Sequence, residues 1–382
     1  MNKKIIFALT LVHFTGDLYS SFITPLIPAF VDKLSLSMAQ VGLMTGIVRL
    51  LSFVVQPCVG YFADRYETRA FMLWGLFSVV FFIPLSGIAS NFVLLIIVLS
   101  IGSIGSSMFH PPTTGMIPLY SGARTGFSLS LFNTGGTLAF GIGPIFISWY
   151  VTRFGLAKMP YTMVFGFIIS LFLIKTIPVP TSEKLQSSGF LGSIKETLGP
   201  VIKPIFLIWI VMFLRAVTGQ TFITFMPVYL SDNGHDLMSL GMIVAVFILA
   251  GTLSGLIGGY LSDKIGFKRI FFMSHAFMLP TLLLYLYLPG NFIYLGAFLA
   301  GFSVLASLPL GVAMAQKLAP KSRSMVSSLM MGFAYGLGGA ISPFIGKLAD
   351  MYGLESVLFY TSFLPLITLL FIAKFPNLDS KA

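Results

Sequence analysis

"GYFADRYETR", residues 60–69, closes one long apolar stretch of this chain, and "GYLSDKIGFKR", residues 259–269, closes another. Setting Asp64 on Asp263 gives an offset of 199, and the same offset carries Pro28 to Pro227, Arg69 to Lys268, Arg124 to Arg323 and Pro144 to Pro343. One register running through a whole chain marks an internal repeat. The sequence is therefore read as two equivalent halves, residues 1–177 and 200–382, joined by 178–199, "PVPTSEKLQSSGFLGSIKETLG". That joining stretch is the one long polar run and reads as a cytoplasmic linker.

Of the 382 residues, 56% are hydrophobic and 9% are charged, against roughly a quarter charged in a soluble globular chain. The apolar residues fall in runs of about 20, the length a helix needs to cross a bilayer. A membrane β-barrel would instead show short segments of alternating polarity, and none recur. Twelve spans are expected, near 5–32, 38–63, 69–89, 92–118, 124–151, 159–177, 201–230, 238–261, 268–287, 291–317, 323–349 and 354–374. The fold class is thus an all-α polytopic membrane protein of two parallel six-helix bundles.

The net charge of +11 would in a soluble protein raise nucleic acid as a partner. Placement argues otherwise. With the N-terminus inside, only Lys33, Arg153, Lys158 and Lys347 of the 23 basic residues lie outside, and only Arg49 and Arg215 lie within spans. This is the positive-inside pattern, so both termini are expected on the cytoplasmic side of the cell's inner membrane, with the lipid bilayer and no nucleic acid as partner. Cys58, the single cysteine, excludes an intramolecular disulfide and is expected to be buried. The lysines and apolar run of "MNKKIIFALTLVHF" resemble a secretory signal, but Asp17 and the missing cleavage site favour a retained first span.

A charge inside the membrane is costly unless it faces the bundle interior, which makes it a functional candidate by default. His13 and Asp17 in span 1, Arg49 in span 2, His110 in span 4 and Arg215 in span 7 are such groups. Helical spacing places them on polar stripes. Thr10, His13, Asp17, Ser21 and Thr24 share one face, as do Thr45, Arg49, Ser52 and Gln56, then Ser103, Ser107, His110 and Thr114, and finally Arg215 and Thr218, with Gln220 and Thr221 close by. Under the offset of 199, His13 falls on Met212, Asp17 on Ala216, Arg49 on Ile248 and His110 on Pro309, while Arg215 falls on Gly16. The titratable groups therefore belong largely to the first half.

That division suggests proton handling by Asp17, His13, Arg49 and His110. A change that parts Asp17 from Arg49 would favour proton uptake, and one that reunites them would favour release. Arg215 is the candidate for an anionic substrate group, which a guanidinium grips with two bonds. Gln220, Asn133, Gln56 and Ser107 complete the expected substrate site. Two histidines near one aspartate could ligate a metal, but no hydrolytic motif accompanies them, and neither a metal nor an enzyme activity is expected. No cofactor is implied beyond a proton gradient.

Parallel six-helix halves around a midplane site are the pattern of the major facilitator superfamily. Gly60, Asp64, Arg65 and Arg69, with Gly259, Asp263, Lys264 and Lys268, resemble that superfamily's cytoplasmic loop motif, which would latch one conformation through acid, base and helix-end contacts. The first copy departs from it at Glu67 and Thr68. "SLSLFNTGGTLAFGIGPIF", residues 128–146, resembles the glycine-proline signature of the superfamily's antiporters, with Gly143 and Pro144 at its end.

"HFTGD" (13–17), "PLIP" (25–28), "QPCVGYFADR" (56–65), "GSSMFHPPTTG" (105–115) and "SLFNTGGTLAFGIGP" (130–144) together resemble the fosmidomycin resistance protein family of facilitator exporters. The resemblance implies a proton-driven antiporter, acting as a monomer, that exports a small anionic, phosphonate-like antibiotic or metabolite. His13, Asp17, His110, Gly143 and Pro144 match its motifs, whereas Arg49 and Arg215 rest on burial alone. The alternatives are a proton-coupled organic-anion importer and a lipid or lysolipid flippase.

Overall fold

The computed structural model describes residues 1–63, 68–122, 124–178, 201–319 and 328–376. These residues are mostly helical, with no strand among them. In the first half the helices are α1 (Lys3–Ser20), α2 (Ile23–Leu34), α3 (Met38–Ala63), α4 (Thr68–Leu85), α5 (Phe92–Ser121), α6 (Thr125–Phe154) and α7 (Met163–Thr176). In the second they are α8 (Ile202–Asp232), α9 (Leu237–Ile265), α10 (Phe267–Tyr287), α11 (Ile293–Leu305), α12 (Ser307–Leu318), α13 (Ala334–Ala340), α14 (Ser342–Tyr352), α15 (Leu354–Thr361) and α16 (Leu364–Ile372).

Backbone chemistry explains where these helices start and break. Asn91 caps α5 by accepting from the Leu94 N–H at 2.9 Å, as an N-cap asparagine does for an otherwise orphaned donor. α1 and α2 form one span, Lys3–Leu34, interrupted at Ser21 and Phe22, just ahead of Pro25, which lacks the N–H that would bond back to Ser21.

Among the described residues, eleven helical stretches are long and apolar enough to cross a bilayer. The twelfth, expected at 323–349, begins outside the described residues and is then broken. Ser328–Phe333 is a π-helix, α13 follows it, and a break at Ile341 precedes Pro343. Closely spaced glycines and the proline account for the interruption.

The chain divides into two compact units. The first comprises Met1–Leu36, Leu50–Leu185 and Gly234–Ala245; the second comprises Ser37–Arg49, Gln186–Asn233 and Val246–Ala382. In the first, the opening of α9 packs on α6: a Cβ on Gly241 would stand 2.6 Å from the Pro144 carbonyl oxygen. In the second, the opening of α3 packs on α14, and Asp350 accepts from the Met38 and Ala39 N–H groups at 2.7 and 2.9 Å. Gly42 and Pro343 are the repeat counterparts of Gly241 and Pro144, and they too are in close contact.

The repeat is visible inside each unit as well. Arg69 donates to the Ile174 carbonyl at the end of α7, and Lys268 donates to the Ala373 carbonyl at the end of α16 at 2.7 Å. Both partners are related by 199, and in each case a cation meets the negative end of the helix closing its half.

The cysteine expectation is corrected: Cys58 is exposed on α3. A small apolar side chain bears no penalty against lipid, which is as apolar as a protein interior. Residues 179–199 of the linker expected at 178–199 lie outside the described residues, as do Asp64, Arg65, Glu67 and Arg323.

Candidate functional site

Three groups singled out from sequence meet in the first unit. His13 and Asp17 sit one turn apart on α1, with His13 Nε2 3.1 Å from Asp17 Oδ2. From α5, His110 Nε2 approaches the other carboxylate oxygen, Oδ1, at 3.1 Å. Asp17 is 3% exposed and His13 8%, while the His110 side chain keeps 26% of its surface accessible. The approach from His110 is off the line of a hydrogen bond, since Oδ1 has no aligned donor. His110 thus lies beside Oδ1 without an aligned bond, whereas α6 orients His13.

α6 supplies that geometry. His13 Nδ1 lies 2.9 Å from the Phe132 carbonyl oxygen, and its ring stacks on the Phe132 ring at 4.0 Å between centroids. One turn on, Gly136 leaves the space the pair occupies: a Cβ there would stand 2.6 Å from both Asp17 Oδ2 and His13 Nε2. On α5, Phe109 stacks on His110 at 4.2 Å.

The Phe132 bond fixes a proton. A carbonyl oxygen only accepts, so Nδ1 of His13 must carry a hydrogen. A neutral His13 then presents its Nε2 lone pair to a carboxylate oxygen 3.1 Å away, an arrangement that repels. One proton between them resolves it, either on the imidazole as an imidazolium–carboxylate pair or on the carboxyl group. The cluster can therefore hold one exchangeable proton at a buried position open through His110. The same atoms lie within 4.8 Å of one another, as a metal-ligand set would.

Arg49 lies in the second unit. Its guanidinium carbon is 5.2 Å from the centroid of the Tyr335 ring on α13, a cation–π distance, and its Cβ and Cγ lie against Gly339. Asp17, which the sequence paired with Arg49, has two imidazoles as its ionic partners.

Arg215, on α8, is 2% exposed. It donates from Nη1 to the Val304 carbonyl on α11 at 3.2 Å, and its Nε has no protein partner. Tyr335 and His275 are its electrostatic neighbours. His275 Nδ1 bonds the Phe271 carbonyl at 2.9 Å, and its buried Nε2 has no protein partner. Gln220 is buried with Nε2 unpartnered.

The remaining candidates are dispersed. Ser107 bonds its own helix at the Ser103 carbonyl, Asn133 is exposed and Gln56 half-buried. Gly143 packs on Ser21 and the Leu18 carbonyl with no room for a side chain. Arg69 caps α7, as described above, and the Lys264 ammonium lies 4.4 Å from the Tyr260 ring centroid. Gly60 lies within α3 and Asp263 within α9, while Asp64 and Arg65 fall outside the described residues.

Sequence reading missed Phe132, Gly136, Tyr335 and His275. His275 carried the usable signal, a titratable residue inside an apolar span. The others look like ordinary packing residues.

A family model described as Major Facilitator Superfamily matches residues 9–343. The chain belongs to the major facilitator superfamily. Within this superfamily it is 26% identical over 375 residues to the fosmidomycin resistance protein of Escherichia coli (strain K12), covering 96% of this chain and 92% of that one. It is also 26% identical over 377 residues to the multi-drug resistance efflux pump PmrA homolog of Lactococcus lactis subsp. lactis (strain IL1403), covering 89% and 88%. The crystal structure of the nucleoside transporter NupG shares the facilitator fold, with a TM-score of 0.80 at 15% identity over 99% of this chain and 100% of that one. The family and fold are those of multi-pass membrane transporters of small molecules, with relatives in drug resistance and efflux.

Proposed function

We propose that this chain is a proton-coupled antiporter that exports a small anionic, phosphonate-like antibiotic or metabolite by alternating access. The observation that carries the reading is the approach of His13 and His110 to Asp17, with Nδ1 of His13 committed to Phe132. With one proton the cluster is compact and neutral. Without it, the His13 lone pair and the Asp17 charge face each other, and the cluster is driven apart. Proton loss is thereby linked to movement of α1 against α5 and α6, the kind of two-state element that coupling needs.

The relatives named for fosmidomycin resistance and multi-drug efflux support outward transport. Arg215, 2% exposed in the second unit, supports an anionic substrate, because a buried cation favours a counter-charge. The distribution of basic residues favours a cytoplasmic-membrane protein with both termini inside, and we take it to act as a monomer. No cofactor beyond the proton gradient enters the reading. The cytoplasmic motif (Gly60, Asp64, Arg65, Arg69, Asp263, Lys264) is proposed as the conformational latch, with Gly143 and Pro144 as a packing pivot.

Everted membrane vesicles test this. Acidifying their interior should drive substrate accumulation by the parent protein and not by Asp17→Asn. Accumulation driven by the opposite gradient would make the protein an importer, and gradient-driven accumulation retained by Asp17→Asn would remove Asp17 as the carrier.

A further inference from the structure

One proton satisfies only one edge of the cluster in the first unit. It joins His13 Nε2 to Asp17 Oδ2 across 3.1 Å. The other carboxylate oxygen, Oδ1, is buried, lies 3.1 Å from His110 Nε2, and has no aligned donor.

The three side chains have the spacing of a ligand set. His13 Nε2, His110 Nε2 and a carboxylate oxygen of Asp17 lie within 4.8 Å of one another. Bonds of about 2.0–2.2 Å to a tetrahedral ion place neighbouring donor atoms about 3.3 Å apart, close to the two 3.1 Å separations. The two imidazole rings meet at 85° with centroids 5.0 Å apart, so they approach from different directions instead of stacking face to face.

His13 is already oriented for ligation. Its Nδ1–H is committed to the Phe132 carbonyl at 2.9 Å, which leaves the Nε2 lone pair for an ion. A backbone carbonyl on the far nitrogen is a usual outer partner of a metal-binding histidine. On α6, Gly136 flanks the same donors: a Cβ there would stand 2.6 Å from both Nε2 and Oδ2, so no side chain crowds them from that wall. The His110 side chain is 26% accessible and gives an ion access to the buried pair. The repeat makes the site single, because the counterparts of its residues are Met212, Ala216 and Pro309, which offer neither imidazole nor carboxylate.

We propose that His13, Asp17 and His110 form a binding site for one divalent transition-metal ion of the zinc class, which inhibits transport by tying α1 to α5. Two imidazoles and a carboxylate suit Zn²⁺, with water in the fourth position, whereas Mg²⁺ favours a shell of oxygens. The missing hydrolytic motif bears on metal catalysis and not on metal binding. The ion is an inhibitor and not a cofactor of transport. Binding rests on the geometry above, and inhibition rests on the proton-coupled reading, in which α1 moves against α5.

Calorimetry with zinc chloride tests the site on the purified full-length protein carrying no polyhistidine tag. It should show one saturable ion per chain, bound at least a hundredfold more tightly than Mg²⁺, and Co²⁺ in place of zinc should show the intense visible absorption of a four-coordinate ion. Asp17→Asn and His110→Ala should each weaken zinc at least tenfold. His110→Cys, which restores a zinc ligand, should recover part of the loss, and His235→Ala, between α8 and α9, should bind like the parent. Thermal midpoints without metal show that each variant is folded, and zinc should raise the midpoint of the parent and not of His110→Ala. No saturable binding, equal binding of Mg²⁺, parent-like affinity in His110→Ala or a loss in His235→Ala would overturn the site. In proteoliposomes, zinc at a concentration that saturates the site should slow transport at least tenfold, and a chelator should restore it. Saturated protein that transports undiminished would overturn the inhibition. Transport that ignores the proton gradient would remove the proton-coupled reading and leave the calorimetric result standing, so the two failures are distinguishable.

Discussion

His13 donates from Nδ1 to the Phe132 carbonyl oxygen at 2.9 Å, which leaves its Nε2 to face Asp17. His110 has no such anchor among the described residues and meets Asp17 off the hydrogen-bond line. The two histidines are therefore unequal. His13→Gln should abolish gradient-driven transport, because one amide cannot satisfy Phe132 and also share a proton with the carboxylate. His110→Gln should retain it within about tenfold, roughly 1.4 kcal/mol, since the amide still offers a donor. Initial rates in proteoliposomes under an imposed pH gradient check both variants, and equal losses would refute the distinction.

Asp17→Asn removes the proposed proton acceptor while preserving size and much of the hydrogen bonding. Exchange of substrate against substrate should continue, while the pH dependence of net transport flattens. Counterflow and net-flux assays on the same vesicles separate the two. A parent-like pH profile in the variant would contradict the assignment.

Gly136→Ala would push a methyl group into the space held by His13 and Asp17. Overpacking of this kind costs about 1–3 kcal/mol, and here it should also displace the cluster, so transport should fall further than stability does. Gly115→Ala is the control. Nothing lies within 4 Å of a Cβ at Gly115, and alanine favours the helix by about 1 kcal/mol. Thermal unfolding in detergent, beside transport, reads out both.

Arg69→Ala and Lys268→Ala each remove a cation from a helix carboxyl end. Each should cost about 0.3–1 kcal/mol. Because the residues lie in different units, the double variant should show the sum. A large excess over the sum would mean the two caps are linked.

The titratable core of the candidate site was legible because its cost inside a membrane makes each member conspicuous. His13 and Asp17 also lie one turn apart, so their contact follows from helix geometry. His110 could be placed on a polar face but not opposite a particular partner, since spacing within a span fixes a face and not its neighbour. Arg49 shows the consequence. Sequence offered Asp17 as the one opposite charge within the spans, whereas packing lays the Arg49 guanidinium over the Tyr335 ring. Tyr335 is one of 14 tyrosines in an aromatic-rich chain, and Gly136 one of 38 glycines; neither stands out until its neighbours are known. The twelve-span architecture was legible from hydropathy, but the interruption at 328–343 depends on how several glycines and Pro343 combine.

The Asp350 carboxylate ties the first turn of α3 into the second unit, and the approach of Gly241 to Pro144 ties the start of α9 into the first. Each unit thus includes a short stretch encoded in the opposite half of the gene, Ser37–Arg49 in one case and Gly234–Ala245 in the other. During synthesis the first unit cannot be finished when its own six spans have emerged. It is complete only after Ala245 has left the ribosome, and a chain severed at the linker leaves each fragment lacking a piece of itself that only the other fragment carries.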